Sequence, residues 1–246
     1  MAFIDPDSCF IYADIQEKWA QQIGWDWAVA DALNTKGASF YVKGEYDATL
    51  KYWEESLAMR EAQRDTTQMA NSYNNISNVY TALNRYQEAA DYLQKCLQID
   101  IAQGNEQGKA TSYNNLGKIY YHHGSYTKAI DMYLKSIGIK ESLDDVRGLA
   151  QSHTNLGGVY QEIKDFDQAL QHHFKCLEYL DGIEDKQTRA TALSNIGVVY
   201  EEKAMPAESR KYHNKALAIR IELDDKWGIA NSYNNLSVVC EDLGDW

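Results

Sequence analysis

Residues 110–149 read ATSYNNLGKIYYHHGSYTKAIDMYLKSIGIKESLDDVRGL, and this stretch decides the fold because it recurs at an interval of forty residues. No insertion or deletion interrupts the recurrence. The sister copies of TSYNNLGKIY are NSYNNISNVY from Asn71, QSHTNLGGVY from Gln151, TALSNIGVVY from Thr191 and NSYNNLSVVC from Asn231. A period of about 20 to 50 residues indicates stacked structural units. Each unit then contacts mainly its neighbours.

Each forty-residue unit predicts two antiparallel α-helices, because apolar residues follow helical spacing and the connection between them is short. The first helix of a unit starts after an acidic or amide N-cap: Asp65, Asn105, Asp145, Asp185 and Asp225. The turns between the two helices include Gly44, Asn84 and Gly124. The second helices start near Tyr46, Tyr86, Tyr126, Phe166 and Pro206, and end near Gly104, Asp144, Glu184 and Asp224.

The repeat also predicts how the chain is divided. Asp5 and Pro6 are the N-cap and first residue of an opening helix, which aligns with the second half of a unit. We therefore expect a lone capping helix in residues 1–29. Five full units follow, at 30–69, 70–109, 110–149, 150–189 and 190–229, and residues 230–246 form the first helix of a truncated sixth unit.

Small residues recur at fixed positions and predict close helix packing. Gly37, Gly117, Gly157 and Gly197 share one site inside the first helices. A helical glycine costs about 1 kcal/mol relative to alanine, so its recurrence implies a compensating close contact. Cys96 and Cys176 share a site that serine or alanine fills in other units. We expect buried thiols there rather than a disulfide, which fits a reducing, cytoplasmic setting.

The composition excludes several classes of function. The formal net charge of −12 argues against nucleic acid, whose phosphates need a basic surface, and against an anionic membrane. No apolar run is long enough to span a membrane, and no signal peptide is evident. The sequence also lacks a phosphate-binding loop, a zinc-protease motif, a serine nucleophile motif and paired metal-binding cysteines. We therefore expect no catalytic site, no metal and no cofactor.

The repeated residues resemble the signature of the tetratricopeptide repeat. In the quoted unit they are Tyr113, Leu116, Gly117, Tyr120, Ala129, Tyr133 and Ser136. The forty-residue period resembles a subclass that includes Pins-type polarity adaptors, kinesin light chains and bacterial sensor or receptor segments. The resemblance implies an all-α, right-handed α-solenoid. Its first helices would line a concave groove and its second helices would form the convex back.

Differences between the units point to candidate ligand-binding residues. Asn75, Asn115, Asn155, Asn195 and Asn235 do not vary, so we interpret them as structural links between neighbouring helices. The preceding position varies, and the resemblance implies that it faces the groove. An asparagine there can donate to and accept from a peptide backbone; the alternative is a solvated surface residue. The expected peptide-binding residues are Asn34, Asn71, Asn74, Asn78, Asn114, Lys118, Tyr121, His122, Gln151, Thr154, Gln161, Glu162, Ser194, Glu201, Asn231 and Asn234.

Charge along these positions predicts an orientation for the ligand. Lys118 and His122 make the middle mildly basic, whereas Glu162 and Glu201 make the C-terminal half acidic. We expect a basic part of the ligand to lie toward the C-terminal half. Lys118 is the one evident groove cation, which argues against a clamp for a terminal carboxylate.

The histidines favour packing over metal binding. His122-His123 and His172-His173 are adjacent pairs, and neighbours in sequence do not converge on one metal from a helix. His173 and His213 occupy the aromatic position held by Trp53 and Tyr133 in other units. His153 falls at the position of Tyr73 and Tyr113, so we expect it in the core as well.

Two functional hypotheses remain from the sequence. The first is a non-catalytic adaptor, or the recognition segment of a signalling protein, that binds a peptide in the groove. The second is a structural scaffold that forms homo-oligomers through uncapped solenoid ends, because apolar residues such as Val238 and Val239 look poorly covered on the last helix.

Overall fold

The computed structural model of the chain describes residues 5–243, without the side chain of Asp242. These residues form twelve α-helices and no strand, so the fold is all-α. The helices are α1 (Pro6–Gln22), α2 (Asp26–Val42), α3 (Tyr46–Gln63), α4 (Thr66–Ala82), α5 (Tyr86–Gln103), α6 (Glu106–His122), α7 (Tyr126–Ser142), α8 (Val146–Glu162), α9 (Phe166–Tyr179), α10 (Lys186–Glu202), α11 (Pro206–Glu222) and α12 (Lys226–Leu243).

The chain divides into two compact units, Met1–His123 and Gly124–Trp246. The described part of the first contains α1 to α6, and that of the second contains α7 to α12. In the first unit α2 packs on α3 and α4 on α5, while α3·α4 and α5·α6 contacts join successive pairs. The second unit repeats this arrangement with α8 on α9 and α10 on α11. Within each unit, helices that are neighbours in sequence thus pack on one another, as the repeat predicts.

The predicted helix starts are confirmed. The side chains of Asp5, Asp65, Asn105, Asp145, Asp185 and Asp225 each accept a hydrogen bond from the backbone N–H three residues later, at 2.9 to 3.1 Å. Such a cap satisfies a donor that the first helical turn leaves unpaired and contributes about 1 kcal/mol. The second helices begin at Tyr46, Tyr86, Tyr126, Phe166 and Pro206.

The turns after α2, α4, α6, α8 and α10 use a left-handed backbone conformation. Glycine occupies it at Gly44 and Gly124, each with φ of 75°. Asn84, Lys164 and Ala204 adopt the same conformation with φ of 58°, 61° and 54°. A residue with a side chain pays about 1–2 kcal/mol there because its Cβ crowds the following carbonyl oxygen.

One predicted helix end is wrong. The second helix of the fourth full unit was expected to reach Glu184, but α9 ends at Tyr179. A turn follows in which Gly182 has a φ of 74°, which glycine tolerates and which helical backbone does not. The guanidinium of Arg189 donates a hydrogen bond to the carbonyl oxygen of Leu180 and holds this shorter end in place.

The predicted close approach at the recurring glycines is confirmed at three sites. A Cβ placed on Gly37 would lie 2.3 Å from the Trp53 ring, and one on Gly157 or Gly197 would lie 2.6 Å from the ring of His173 or His213. The predicted burial of Cys96 and Cys176 is also confirmed, and both thiols are free. The expectation that Val239 is poorly covered on the last helix is wrong, because Val239 is fully buried; Val238 is exposed. Within the described residues, no helix combines the length and the apolar character that a membrane span needs.

A polar link that the sequence pattern did not reveal joins successive helix pairs. The guanidinium of Arg60, near the end of α3, donates to Ser72 Oγ on α4 at 2.6 Å and to Asp31 at 3.1 Å. Forty and 80 residues later, the same position holds Asp100 and Lys140, and Arg220 occupies it on α11. Each bonds the serine twelve residues further on, at 3.0, 2.8 and 2.6 Å: Ser112, Ser152 and Ser232. Between α9 and α10 the pair is apolar instead: Leu180, the residue after α9, and Ala192 on α10 lie in one core cluster.

Candidate functional site

The predicted ligand-binding residues lie on the first helices of the pairs, and their exposure differs widely. In the first compact unit these helices are α2, α4 and α6, and in the second they are α8, α10 and α12. The exposed members are Asn71, Asn78, Lys118, His122, Gln151, Glu162 and Asn234. The half-buried members are Asn34, Asn74, Tyr121, Thr154, Gln161, Glu201 and Asn231. The buried members are Asn114 and Ser194.

Burial separates the members of the variable asparagine position. Asn114 and Ser194 keep only 9% and 5% of their surface exposed, so they offer little area to a ligand. The hydroxyl of Thr154 donates to the carbonyl oxygen of Ala150 one turn back in its own helix. An uninterrupted row of accessible amides is therefore absent from the described residues of either unit.

An asparagine pair joins α4 and α6. Asn115 Nδ2 donates to Asn74 Oδ1 at 3.0 Å. This contact bears out the structural role expected for Asn115, because it bonds neighbouring first helices. It also occupies one acceptor of Asn74, whose amide N–H donors remain for another partner.

A cavity of about 420 Å³ opens on one side of this asparagine pair, and we call it the Lys118 cavity. Three predicted residues meet in it: Asn78 from α4, and Lys118 and His122 from α6. Residues outside the expected peptide-binding set complete the wall. They are Tyr41, Thr81, Ala82, Asn84, Tyr86, Asn115 and Ile119.

The aromatic neighbours of His122 fix the chemistry of the Lys118 cavity. The His122 ring stacks on Tyr86 with centroids 6.3 Å apart and meets the edge of Tyr121 at 5.3 Å. Desolvation, followed by the charge of Lys118, lowers the pKa of His122 below its usual value. At neutral pH the cavity therefore presents one cation, Lys118, beside a neutral imidazole and the phenol rings of Tyr41 and Tyr86.

A second cavity, of about 320 Å³, opens on the other side of the asparagine pair, and we call it the Asp100 cavity. Asn71 and Asn74 from α4 line it, together with residues at the end of α5 and the start of α6. The remaining lining residues are Thr67, Ala70, Cys96, Asp100, Gln103, Asn105, Gln107, Gly108, Thr111 and Ser112. Asp100 is the one carboxylic acid among the described residues of this wall.

The second compact unit holds its histidines in the core. His153 and His172 face each other with Nδ1 atoms 2.9 Å apart, and the two rings stack with Tyr179 and Tyr160. His173 and His213 are fully buried, as the sequence comparison predicted. Burial, mainly, lowers the pKa of each of these four imidazoles to about 4, so they are neutral at physiological pH.

The described residues contain no group of three or more His, Cys, Asp or Glu side chains placed to hold a metal ion. The acidic candidates Glu162 and Glu201 lie at the ends of α8 and α10. Gln161 lies beside Glu162 and is half-buried. Carboxylate and amide groups of this kind can hydrogen-bond to polar groups.

Comparison with known proteins agrees with this architecture. The protein-family model of the tetratricopeptide repeat matches residues 28–102, 108–182 and 188–246 of this sequence. No curated protein matches the chain. BtubC (BKLC) from P. vanneervenii is similar in structure, with a TM-score of 0.77 and 19% identity over 90% of this chain and 93% of that one. The apo form of RapI has a TM-score of 0.73 and 18% identity, over 85% of this chain and 83% of that one.

A third similar structure belongs to a larger protein. It is a signal transduction ATPase with numerous domains and a tetratricopeptide repeat sensor, from Pyrococcus horikoshii. The TM-score is 0.74 at 15% identity, over 85% of this chain and 32% of that one. These identities are low, so the similarity concerns the fold, an α-solenoid of helix pairs.

Proposed function

The chain belongs to the tetratricopeptide repeat family, and we propose that it is a non-catalytic module that binds a peptide segment of a protein partner. The observation that carries this proposal is the pair of cavities on α4 and α6. They flank the Asn74–Asn115 contact and together present amides, hydroxyls, one cation and one carboxylate. Convergent polar groups in a concave surface are typical of a binding site.

The similar structures support a recognition role by analogy. The repeat segment of the Pyrococcus horikoshii protein is described as a sensor. A sensor recognises another molecule, and helix-pair repeats recognise protein segments along their concave face. We propose the same kind of role here, for the first helices of each compact unit and in a cytoplasmic setting.

The acidic residues of the second unit add a proposed orientation. Glu162 on α8 is exposed and Glu201 on α10 is half-buried. We propose that a peptide bound to the second unit places a basic part toward these helices. Attraction between exposed charges weakens with ionic strength, so the Kd of such a peptide should rise as salt is added from about 0.05 to 0.5 M.

The test uses the purified full chain and a displayed library of random twelve-residue peptides, followed by calorimetry on a selected peptide. The double variant Asn78→Ala/Lys118→Ala should raise the Kd at least tenfold. Lys51→Ala, which removes an exposed lysine from α3, is the matched control and should leave the Kd within twofold. Failure to select any peptide, or equal affinity in the double variant, would overturn the proposal.

Self-assembly is the second candidate, and one observation favours it. The helix α1 leaves apolar side chains in water: Ile11, Tyr12, Ile15 and Trp19 are 57%, 73%, 47% and 64% exposed. A contiguous apolar face of this kind marks an interaction surface. Light scattering over a hundredfold range of concentration distinguishes the two. A mass that rises with concentration, and returns to that of a monomer in Tyr12→Lys/Trp19→Glu, supports the scaffold.

A further inference from the structure

Asp100 carries a side chain of opposite charge to the residues at the equivalent position in three other units. In three other units this position holds Arg60, Lys140 or Arg220. Each of these side chains is buried and donates to the serine twelve residues later. The contact between α5 and α6 keeps the serine, Ser112 on α6. Its partner on α5, however, is the carboxylate of Asp100.

The hydrogen bonds of Asp100 leave it able to accept one more donor. Oδ2 accepts from Ser112 Oγ at 3.0 Å and from Cys96 Sγ at 3.8 Å. Oδ1 accepts from Asn105 Nδ2 at 2.8 Å. A carboxylate has about four acceptor positions, so one on Oδ1 remains. All three donors are neutral, and none of them supplies a counter-charge.

The surroundings of Asp100 keep the charge buried yet reachable. Only 4% of the residue is exposed, and no Lys, Arg or His is among the described residues that line the cavity. A buried charge without an opposite charge is costly and favours capture of a counter-ion. The cavity in front of it, about 320 Å³, exceeds the space that an ammonium group and its methylene chain require.

Gly108 creates the room for this arrangement. A Cβ on Gly108 would lie 2.1 Å from Asp100 Oδ1 and 2.3 Å from Asn105 Nδ2. The glycine therefore lets the carboxylate lie directly against the first turn of α6. At the sister positions Gly148 and Gly228, the backbone carbonyl oxygens accept from Lys140 and Arg220, at 3.2 and 3.1 Å. The place of a cation is thus built into the repeat, and in this unit the chain does not fill it.

We propose that the Asp100 cavity is a subsite for a basic side chain of the bound peptide, an ammonium or guanidinium group supplied by the ligand. The incoming N–H groups donate to Asp100 Oδ1, while Asn71 and Asn74 offer amide oxygens or donors at the mouth of the cavity. The identification of the ligand as a peptide rests on the function proposed above. The preference of the subsite for a cation rests on Asp100 alone.

The test titrates N-acetyl-lysine N-methylamide into the full-length, ¹⁵N-labelled chain and follows the amide resonances of Gly108, Asn105 and Ser112. Saturable shifts are expected at these residues. The uncharged analogue N-acetyl-norleucine N-methylamide should produce less than a tenth of the shift at equal concentration. Asp100→Asn should raise the Kd at least tenfold, and Asp91→Asn, an exposed acid on the same helix, should leave it within twofold.

Two further variants keep the test decisive if Asp100→Asn is poorly folded. Asp100→Lys installs the cation found at Lys140 and should abolish the shifts. Asp100→Leu/Ser112→Ala copies the buried Leu180–Ala192 pair of the same chain and should also abolish them in a folded protein. Shifts that persist in either folded variant, or that norleucine reproduces, overturn the subsite.

Competition separates an organic cation from a metal ion. Potassium and calcium chloride, each added before the lysine probe, should leave its Kd unchanged apart from the effect of ionic strength. If either ion produces the same shifts and displaces the probe, the subsite binds metal ions and the proposal fails. If the lysine probe binds but no library peptide does, the subsite stands and the proposed peptide-binding function fails.

Discussion

The imidazole of His173 on α9 lies against the backbone of Gly157 on α8, so closely that a Cβ on the glycine would be 2.6 Å from His173 Cε1. Real Cβ contacts do not reach this distance, and the fully buried ring has little room to move. Gly157→Leu should therefore destabilise the fold by about 1–3 kcal/mol through overpacking. Urea unfolding followed by circular dichroism measures the change.

The adjacent glycine is the matched control for this prediction. A Cβ on Gly158 would meet no atom within 4 Å. Gly158→Ala should then leave stability unchanged or raise it by up to about 1 kcal/mol, because alanine favours the helix. An unchanged melting temperature in Gly157→Leu would contradict the packing interpretation.

Acid should destabilise the second compact unit. Its buried imidazoles, in His153, His172, His173 and His213, have pKa values lowered to about 4, below the usual value of 6.5. Below pH 6.5 the unfolded chain therefore binds protons that the folded chain does not, and stability falls as the pH drops from 6.5 toward 4. Each group contributes a slope of up to about 1.4 kcal/mol per pH unit.

A variant isolates one of these imidazoles. Tyrosine occupies the equivalent buried position at residue 133, so His213→Tyr should flatten the decline between pH 6.5 and 4.5 when unfolding is measured by urea. Asn214→Ala changes an exposed, non-titrating neighbour on the same helix and should leave the slope as it is. Equal slopes in His213→Tyr and the wild type would mean that His213 is not the proton acceptor on unfolding.

The left-handed turns offer a stabilising substitution. Ala204 has a φ of 54° at the position where two other units place Gly44 and Gly124. Ala204→Gly should raise the free energy of unfolding by about 1 kcal/mol, since glycine is free of the Cβ clash. Gly124→Ala is the reciprocal change and should lower it by a similar amount. The entropy of glycine in the unfolded chain acts in the reverse direction, so a loss of stability in Ala204→Gly with a gain in Gly124→Ala would contradict the prediction.

The link between Lys140 and Ser152 should behave as a coupled pair. Burial lowers the pKa of Lys140, and its ammonium donates to Ser152 Oγ at 2.8 Å. Lys140→Leu removes the donor to Ser152 and to the Gly148 carbonyl, and we expect a loss of about 1–3 kcal/mol.

Adding Ser152→Ala should recover part of that loss, because the double variant reproduces the apolar Leu180–Ala192 pair of the next unit. A double-mutant cycle from urea unfolding gives the coupling energy. Simple additivity of the two changes would show that the pair does not act as a unit.

Much of the fold follows from local rules that a sequence displays. The N-caps Asp65 and Asp145, the turn at Gly44 and the glycines beneath Trp53 and His173 recur at fixed intervals, and each recurrence has one physical cause. The end of α9 could not be predicted from the repeat. Gly182 in this unit adopts a left-handed backbone conformation and ends the helix early, while the forty-residue spacing of the units is unchanged.

The candidate site was less predictable, because side-chain burial depends on the neighbouring helix pair. Asn114 and Asn74 occupy equivalent positions, yet Asn114 is buried and Asn74 is half-buried and accepts from Asn115. Asp100 was not predicted as a site residue because it lies at a position outside the repeat signature. Arg60 and Lys140 occupy the equivalent position in the neighbouring units. Comparing charge at equivalent positions across units, rather than identity, would have found it.

The short reach of the links has a kinetic consequence. Arg60 bonds a serine twelve residues away, and the longer connection from Asn115 to Asn74 spans 41 residues. These side-chain hydrogen bonds join residues that belong to the same or to neighbouring helix pairs within one compact unit. The entropy lost when each loop closes is therefore small. Contacts between residues close in sequence are typical of helical proteins that fold fast. Folding can nucleate at any helix pair and propagate to the neighbouring pairs.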